Sequence, residues 1–140
     1  MDKFIIDEWM AYSDTDLATA KHLRDTMHPK PLEIICYHCQ QSAEKALKAF
    51  WLFMGDSPPR IHDLELLRDK CNNYDKSFEE LYDECERLKV FASQPRYPFE
   101  LEVTEEIMDL AIKDSNRVSE FIKARISICD LYRTMNKSGK

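Results

Sequence analysis

Side chains able to do chemistry concentrate on one stretch of helical periodicity. His38, Gln41, Lys45 and Lys48 recur every three or four residues, and at about 100° per residue they fall within roughly 80° of one another on a helix. One interpretation is a solvated face, in which Glu44 and Lys48 form an i,i+4 ion pair that contributes only about 0.3–0.5 kcal/mol. The other is the wall of a ligand site, where His38 and Gln41 supply hydrogen bonds and Lys45 supplies charge.

Two further segments carry candidate ligand-binding residues. His62 begins a predicted helix, where it either belongs to a capping segment or joins the same site. Arg96 and Tyr97 lie between Pro95 and Pro98, which restrict the loop, so a guanidinium is available for phosphate and a ring for stacking on a base. The alternative is that Tyr97 packs into the protein while Arg96 lies in water.

Five stretches of helical periodicity must position these residues, and short proline-containing or polar joins separate them. We predict an all-α protein, an up-and-down antiparallel helical bundle of four to five helices. Residues 1–127 form the domain, residues 128–140 a frayed basic tail, and residues 100–103 an extended linker. The helices are predicted at about Lys3 to Met27, Leu32 to Met54, His62 to Tyr74, Phe78 to Ser93 and Glu105 to Arg125.

Local signals at the helix ends and along their faces sharpen these predictions. Gly55 stands where a left-handed cap would end the second helix, and Ser77 with Glu80 predicts a capping box for the fourth. Ile107 and Leu110 are predicted to face the core from the fifth helix. The second helix has the longest apolar stripe, formed by Leu32, Ile35, Cys36, Cys39, Ala43, Ala46, Leu47, Phe50, Trp51 and Met54.

Composition and charge exclude several classes of protein. The chain has only two glycines, whereas an average chain of this length has roughly ten, so a glycine-rich phosphate loop or dinucleotide fingerprint is excluded. Residues 123–140 carry 5 − 1 = +4 and residues 1–122 carry 15 − 25 = −10, for a net charge of −6. An acidic body repels bulk nucleic acid, so we expect anions to bind only at a local site.

The cysteines and the first residues indicate the compartment. Five cysteines are an odd number, and the N-terminus lacks the basic-then-apolar order of a secretion signal, so we predict a cytoplasmic protein with free thiols. Cys36, His38 and Cys39 superficially offer zinc ligands, but no second Cys/His pair lies at finger spacing. We therefore expect no metal and no cofactor. No apolar run approaches the roughly 18–20 residues that cross a bilayer, so a membrane protein is not expected.

Taken together, these segments resemble a known family. The sequence HCQQSAEKALKA from His38 to Ala49, the triplet His62-Asp63-Leu64, and Arg96-Tyr97-Pro98 before the last helix are similar to the HEPN domain. The family is named for nucleotide binding in higher eukaryotes and prokaryotes. The resemblance covers about residues 4–125, and Trp9 with Asp16 on the first helix fits it.

The resemblance implies a helical bundle that forms a homodimer and is commonly encoded beside a small nucleotidyltransferase, as in toxin–antitoxin two-component systems. Some members are thought to bind nucleotides, and others are toxin ribonucleases in which four to six residues lie between an arginine and the histidine that follows it. This chain lacks that spacing, because only Arg24 and Arg60 precede any histidine and they precede His28 and His62 too closely. RNA cleavage without a metal needs a base near the 2′-hydroxyl and a cation near the phosphate. The departure therefore argues against the ribonuclease role.

Three hypotheses follow. The preferred one is a non-catalytic or weakly catalytic HEPN protein that partners a small nucleotidyltransferase and binds a nucleotide of the ATP or GTP class. In it Lys45 and Arg96 contact phosphates, while His38, Gln41 and Tyr97 contact base or ribose. The second is a toxin endoribonuclease in which Arg96 meets His38 or His62 in space. The third is a plain dimerisation module.

Large apolar side chains bear on dimerisation independently of the family. Trp9, Phe50, Trp51 and Phe53, with six methionines, amount to more apolar surface than a small bundle must enclose. The alternative is a wide buried face on the second helix.

Overall fold

The computed structural model describes residues 3–92 and 102–138, and all the regular structure in them is helical. The helices are α1 (Lys3–Thr26), α2 (Leu32–Phe53), α3 (Leu64–Tyr74), α4 (Tyr82–Leu88) and α5 (Glu105–Ser138), with short 3-10 turns at Lys76–Leu81 and Lys89–Phe91 on either side of α4. The predicted all-α helical bundle is confirmed. None of the helices in these two ranges is long and apolar enough to cross a membrane.

Helix α2 lies at the centre of the bundle and packs against α1, α3 and α5. Its predicted apolar stripe is buried, with Leu32 and Met54 at its ends half-buried. Gly55 has φ +92° and follows the helix as predicted, and its amide donates to the Leu52 carbonyl. The prolines that follow prevent continuation.

Helices α1 and α2 run antiparallel and meet through small side chains. The Ser13 hydroxyl donates to the Ser42 carbonyl at 2.7 Å in the interior. On its other side α1 meets α5, where Lys21 lies 3.2 Å from Asn116 and Lys123 lies 2.7 Å from Asp14. These contacts fix the rotation of α1 about its axis. The polar residues that follow Ser13 on the same face of α1 therefore also face α2.

The large apolar residues of α2 do not provide exposed apolar surface for a dimer contact. Phe50, Trp51 and Phe53 are all buried, because α1, α3 and α5 surround the helix. The wide buried face, rather than an excess of apolar surface on this helix, is therefore the correct interpretation. The burial removes Phe50, Trp51 and Phe53 from the argument for a dimer.

Two predicted helix starts differ from the structure. Helix α3 begins at Leu64 rather than at His62, and Asp63 caps it by accepting from the amides of Glu65 and Leu66. The capping box of Ser77 and Glu80 is wrong, because the chain already turns into a 3-10 helix at Lys76.

Asp75 caps that turn instead, because it precedes the first turn by one residue and accepts from the Ser77 amide at 3.0 Å. The apolar side chains predicted for the fourth helix are nevertheless buried: Phe78, Leu81, Cys85, Leu88 and Phe91.

Helix α5 departs furthest from the prediction. It continues to Ser138, past Arg125 and across the predicted domain boundary at residue 127 without a break. Ile107 and Leu110 are partly exposed, while Met108 and Ile112 face the core. Apolar residues at 107, 108, 110, 111 and 112 nearly encircle the helix, so this stretch does not determine by itself which side is buried.

Candidate functional site

A carboxylate on α1 contacts two polar side chains on the part-exposed side of α2. Asp16 Oδ1 lies 3.0 Å from Nδ1 of His38, and its Oδ2 lies 2.5 Å from Nζ of Lys45. About 13% of the Asp16 side chain is exposed, against 26% for His38 and 27% for Lys45. We call these three residues the Asp16 cluster. It holds an imidazole and an ammonium side by side at the surface.

A cavity adjoins the Asp16 cluster through Lys45. It has a volume of about 390 Å³ and is lined by Ile5, Glu8, Trp9, Tyr12 and Lys45. A cation beside two aromatic rings is a combination that suits a ligand with both an anionic group and a flat ring.

Trp9 is near two lysines of α2. Its ring contributes to the cavity beside Lys45, and Nζ of Lys48 lies 5.9 Å from the centroid of the same ring. The ring is therefore held by packing and by a cation–π contact. A rigid aromatic wall costs a ligand little ordering entropy when it binds.

A second polar cluster lies around Glu44, about 100° from Lys45 around the axis of α2. The carboxylate accepts from Nε2 of Gln40 at 3.2 Å, from Nζ of Lys48 at 3.1 Å and from Nδ1 of His62 at 2.9 Å. We call these four residues the Glu44 cluster. Glu44 and Lys48 form the i,i+4 ion pair of the first interpretation, but its placement on a solvated face is wrong, since only 5% and 7% of their side chains are exposed.

Gln41 connects to the Glu44 cluster through its neighbour. Its Nε2 donates to Oε1 of Gln40 at 2.7 Å, and Gln40 also donates to the backbone carbonyl of His62 at 3.2 Å. The loop before α3 is thereby tied to α2. Because Glu44 and Lys45 are adjacent in sequence, the two clusters occupy the same turn of α2.

His62 presents most of its ring to solvent. Its side chain is 68% exposed, and it borders a shallow cavity of about 460 Å³ with Asp63, Lys89, Val90 and Ala92. A buried carboxylate on one ring nitrogen orients the imidazole and leaves the other nitrogen for a ligand or a proton.

The cation beside His62 is already engaged. Lys89 Nζ lies 3.0 Å from Glu65 and 2.6 Å from Glu86, and the hydrogen bonds that it donates to Glu86 and Glu65 hold the pKa of Lys89 well above its usual value. This cavity therefore offers an imidazole without an uncompensated positive charge.

The structure brings some of the predicted site residues together and not others. His38, Gln41 and Lys45 all lie on the part-exposed side of α2, whereas His62 approaches from the α3 side through Glu44. Arg96 and Tyr97 lie outside the described residues, so their convergence on α2 stays a prediction.

The sequence pattern alone did not indicate the chemical roles of Asp16 and Trp9. Asp16 entered only as a family feature, and Trp9 as a family feature and as an apolar residue. An acidic residue on the polar border of α1 was the available signal, but its partners on α2 are 22 and 29 residues away.

The cysteines of α2 are core residues. Cys36 and Cys39 are fully buried, and burial raises the pKa of the Cys36 thiol to about 12. Buried thiols of this kind stay protonated and are poor metal ligands. Within residues 3–92 and 102–138, no three His, Cys, Asp or Glu side chains are grouped so that they could hold a metal ion.

Comparison with known proteins decides the family. The sequence model of the HEPN domain matches residues 6–125, most of the chain. The chain belongs to the HEPN domain family. Both clusters and the cavity beside Trp9 lie within or at the edge of the matched range.

A solved structure supports the fold of this HEPN domain. The crystal structure of an archaeal HEPN homologue superposes with a TM-score of 0.63 at 24% sequence identity, and the match covers 86% of this chain and 97% of the other. Comparison with curated proteins gives no match.

Proposed function

We propose that this HEPN protein binds a nucleotide of the ATP or GTP class and serves as the partner subunit of a small nucleotidyltransferase in a two-component, toxin–antitoxin-like system. The observation that supports nucleotide binding is the cavity of about 390 Å³, which is lined by Lys45 together with Trp9 and Tyr12. Family membership motivates the partner. In this proposal the protein acts mainly by binding and is non-catalytic or weakly catalytic.

Lys45 and His38 form the phosphate end of the proposed site. The ammonium has three donors and uses one on Asp16, so two remain for phosphate oxygens. Asp16 also holds Nδ1 of His38, which directs the other ring nitrogen outward. Arg96, outside the described residues, adds a second cation in this proposal. A charge-assisted contact of this kind contributes about 1.5–3 kcal/mol.

Trp9 and Tyr12 form the base end. Tyr12 is well exposed and Trp9 half-buried, so one ring can be a fixed wall while the other closes over a ligand. Stacking of a base on an aromatic side chain contributes about 1–3 kcal/mol. Gln41 and Tyr97 complete the contacts to base or ribose in this proposal.

The binding site is tested by titrating ATP and GTP calorimetrically into the wild type, Lys45→Ala and Arg96→Ala. Lys70→Ala is the matched control, because Lys70 is an exposed lysine on α3. We expect Kd to rise roughly tenfold or more in the first two variants and to stay unchanged in the control. Unchanged affinity in both variants would show that the ligand does not bind at this site. If the wild type binds neither ATP nor GTP, the proposal that it binds a nucleotide is wrong.

The partner is tested by co-expression with the product of an adjacent reading frame that carries the paired aspartates of a nucleotidyltransferase. We expect the two proteins to co-purify. Co-purification without nucleotide binding by this chain would favour the plain dimerisation module instead. The absence of such a reading frame, with no associated nucleotidyltransferase, would remove the partner assignment.

A second function is favoured by one specific observation, the 2.9 Å contact between Glu44 and His62. A buried carboxylate that orients an exposed imidazole can support general acid–base chemistry, so an endoribonuclease with Arg96 and His62 is the rival proposal. It predicts growth arrest on expression that His62→Ala abolishes and His22→Ala does not, since His22 is an exposed histidine on α1. Absence of arrest and of RNA cleavage by the purified protein would eliminate it.

A further inference from the structure

The cavity beside Trp9 has a carboxylate on its wall to which the proposed function assigns no role. Glu8 lines this cavity together with Ile5, Trp9, Tyr12 and Lys45. It is an exposed residue of α1. In the part of the chain that the structure describes, its carboxylate has neither an ion pair nor a hydrogen bond. Both of its oxygens are therefore available to accept hydrogen bonds from a ligand in the cavity.

Glu8 stands at one end of a row of side chains along α1. Tyr12 and Asp16 follow it at intervals of four residues, the spacing that makes side chains neighbours on a helix. At the far end of the row, Asp16 holds the ammonium of Lys45 at 2.5 Å. Glu8 and Asp16 are eight residues apart, which is about 12 Å along the helix axis. The unpaired carboxylate and the cation therefore lie toward opposite ends of the row, with an aromatic ring between them.

This order determines how a nucleotide would lie in the cavity. Phosphate oxygens are negatively charged, so they are attracted to Lys45 and repelled by Glu8. A base stacked on the ring of Tyr12 or Trp9 lies between the two. The edge of the base that points away from the phosphates is then the part of the ligand that faces Glu8. Because an ionised carboxylate accepts hydrogen bonds and donates none, that edge must supply the donors.

We propose that Glu8 selects guanine, so that the ligand of this site is a guanine nucleotide such as GTP rather than ATP. The inference rests on the proposed nucleotide function. The Watson–Crick edge of guanine carries two adjacent donors, N1–H and the N2 amino group, and one carboxylate accepts from both. Adenine and cytosine present an amino group beside a ring nitrogen that is an acceptor, and uracil presents one donor between two carbonyl oxygens. Guanine is thus the common base that matches a carboxylate with two hydrogen bonds.

The alternative role for Glu8 is a contact with the ribose hydroxyls, which are donors in every nucleotide. The order along α1 favours the base instead. Ribose lies between the phosphates and the base, so it falls nearer to Lys45, whereas Glu8 is at the far end of the row. A ribose contact would also not distinguish one base from another, and the experiment separates the two roles on that ground.

The test is calorimetric titration of GTP, ITP and ATP into the wild type. We expect GTP to bind roughly tenfold or more tightly than ATP, the discrimination typical of a bidentate contact to a base. ITP keeps the N1–H donor and lacks the N2 amino group, so its affinity should be intermediate. Equal affinity for ATP and GTP, or tighter binding of ATP, overturns the guanine assignment while the nucleotide function stands. If the wild type binds none of the three, the proposed function fails and this inference fails with it.

The residue is tested with Glu8→Gln, which keeps the size of the side chain and removes its charge. Removing a negative charge from the cavity strengthens the binding of every nucleotide, so the readout is the ratio of the Kd for ATP to the Kd for GTP. We expect this ratio to fall roughly tenfold, because an amide has a donor and an acceptor and can pair with adenine. Glu106→Gln is the matched control, since Glu106 is an exposed glutamate on α5, and it should leave the ratio unchanged.

The other outcomes with Glu8→Gln also decide the assignment. A ratio that stays at the wild-type value shows that Glu8 does not read the base. An equal loss of affinity for GTP, ITP and ATP places Glu8 at the ribose, and either result overturns the proposal. Thermal unfolding of the variant should match that of the wild type, because Glu8 is exposed and makes no contact that the substitution removes.

Discussion

The buried carboxylate of Glu44 accepts hydrogen bonds from the buried side chains of Gln40 and Lys48 and from the exposed ring of His62. It compensates the ammonium of Lys48, of which only 7% is exposed. A buried ion pair contributes little relative to an apolar pair, but removing one partner leaves an uncompensated charge. The identity of residue 44 therefore bears on stability as well as on the orientation of His62.

We expect Glu44→Ala to lower the free energy of unfolding by about 3–5 kcal/mol, because Lys48 is left unpaired in the interior. Urea unfolding followed by circular dichroism measures it. Glu120→Ala, an exposed position on α5, is the control and should cost less than about 0.5 kcal/mol. Equal effects at the two positions would mean that water reaches Lys48.

The pKa of the Asp75 carboxyl predicts that the stability of the folded protein depends on pH. Burial raises the pKa of this carboxyl, but hydrogen bonds from Ser77 and Arg125 outweigh burial and lower it overall. A carboxyl whose pKa is lower in the folded state stabilises the protein above its unfolded pKa of about 3.9. That contribution is lost as the pH falls through the folded value.

We therefore expect Asp75→Asn to be less stable than the wild type at pH 7, and the difference to shrink as the pH falls below about 4. Urea unfolding of both proteins between pH 7 and pH 2.5 measures it. A difference that stays constant over this range would show that the charge of Asp75 is not responsible.

At the scale of elements, α2 is surrounded by its neighbours and its core residues cannot be replaced without leaving a cavity. Leu47 is fully buried, so we expect Leu47→Ala to cost about 2–5 kcal/mol in the free energy of unfolding. Leu52 lies on the part-exposed side of the same helix, and Leu52→Ala should cost clearly less. A loss at Leu47 no larger than that at Leu52 would contradict the central position of α2.

At the C-terminal end of α2, glycine is favoured at position 55 by the backbone conformation and not by a lack of room for a side chain. Gly55 has φ +92°, and a Cβ built there meets no atom within 4 Å. We expect Gly55→Ala to cost about 1 kcal/mol in thermal or urea unfolding, because alanine is strained in the left-handed region. Asparagine tolerates that region better, so Gly55→Asn should recover part of the loss.

For the whole molecule, charge limits the possible ligands. The net charge of −6 repels an extended polyanion, whereas a small anion meets mainly the local field of Lys45. We expect no mobility shift of duplex DNA at 50 mM salt, where electrostatic binding is strong, with a basic DNA-binding protein as positive control. A salt-sensitive shift by this protein would show that local basic surface outweighs the net charge.

The composition and periodicity of the chain predicted much of this architecture but less of the site. The predicted stripe of α2 proved to be buried or half-buried throughout, because its apolar residues keep one helical phase from Leu32 to Met54. The phase of α5 was mispredicted at Ile107 and Leu110, because apolar residues surround that turn. The alignment of His38, Gln41 and Lys45 on one side of α2 followed from spacing alone.

The sequence by itself determined the helical class, the ends of the first two helices near Pro29 and Gly55, and the motifs that identify the HEPN family. These are local features, set by neighbours within a few residues. Only the tertiary structure decided that Asp16 holds His38 and Lys45, that Glu44 is buried and that His62 faces it. These partners are 18 to 29 residues apart in the chain, and they meet only because packing of the apolar faces sets how each helix is rotated against the next.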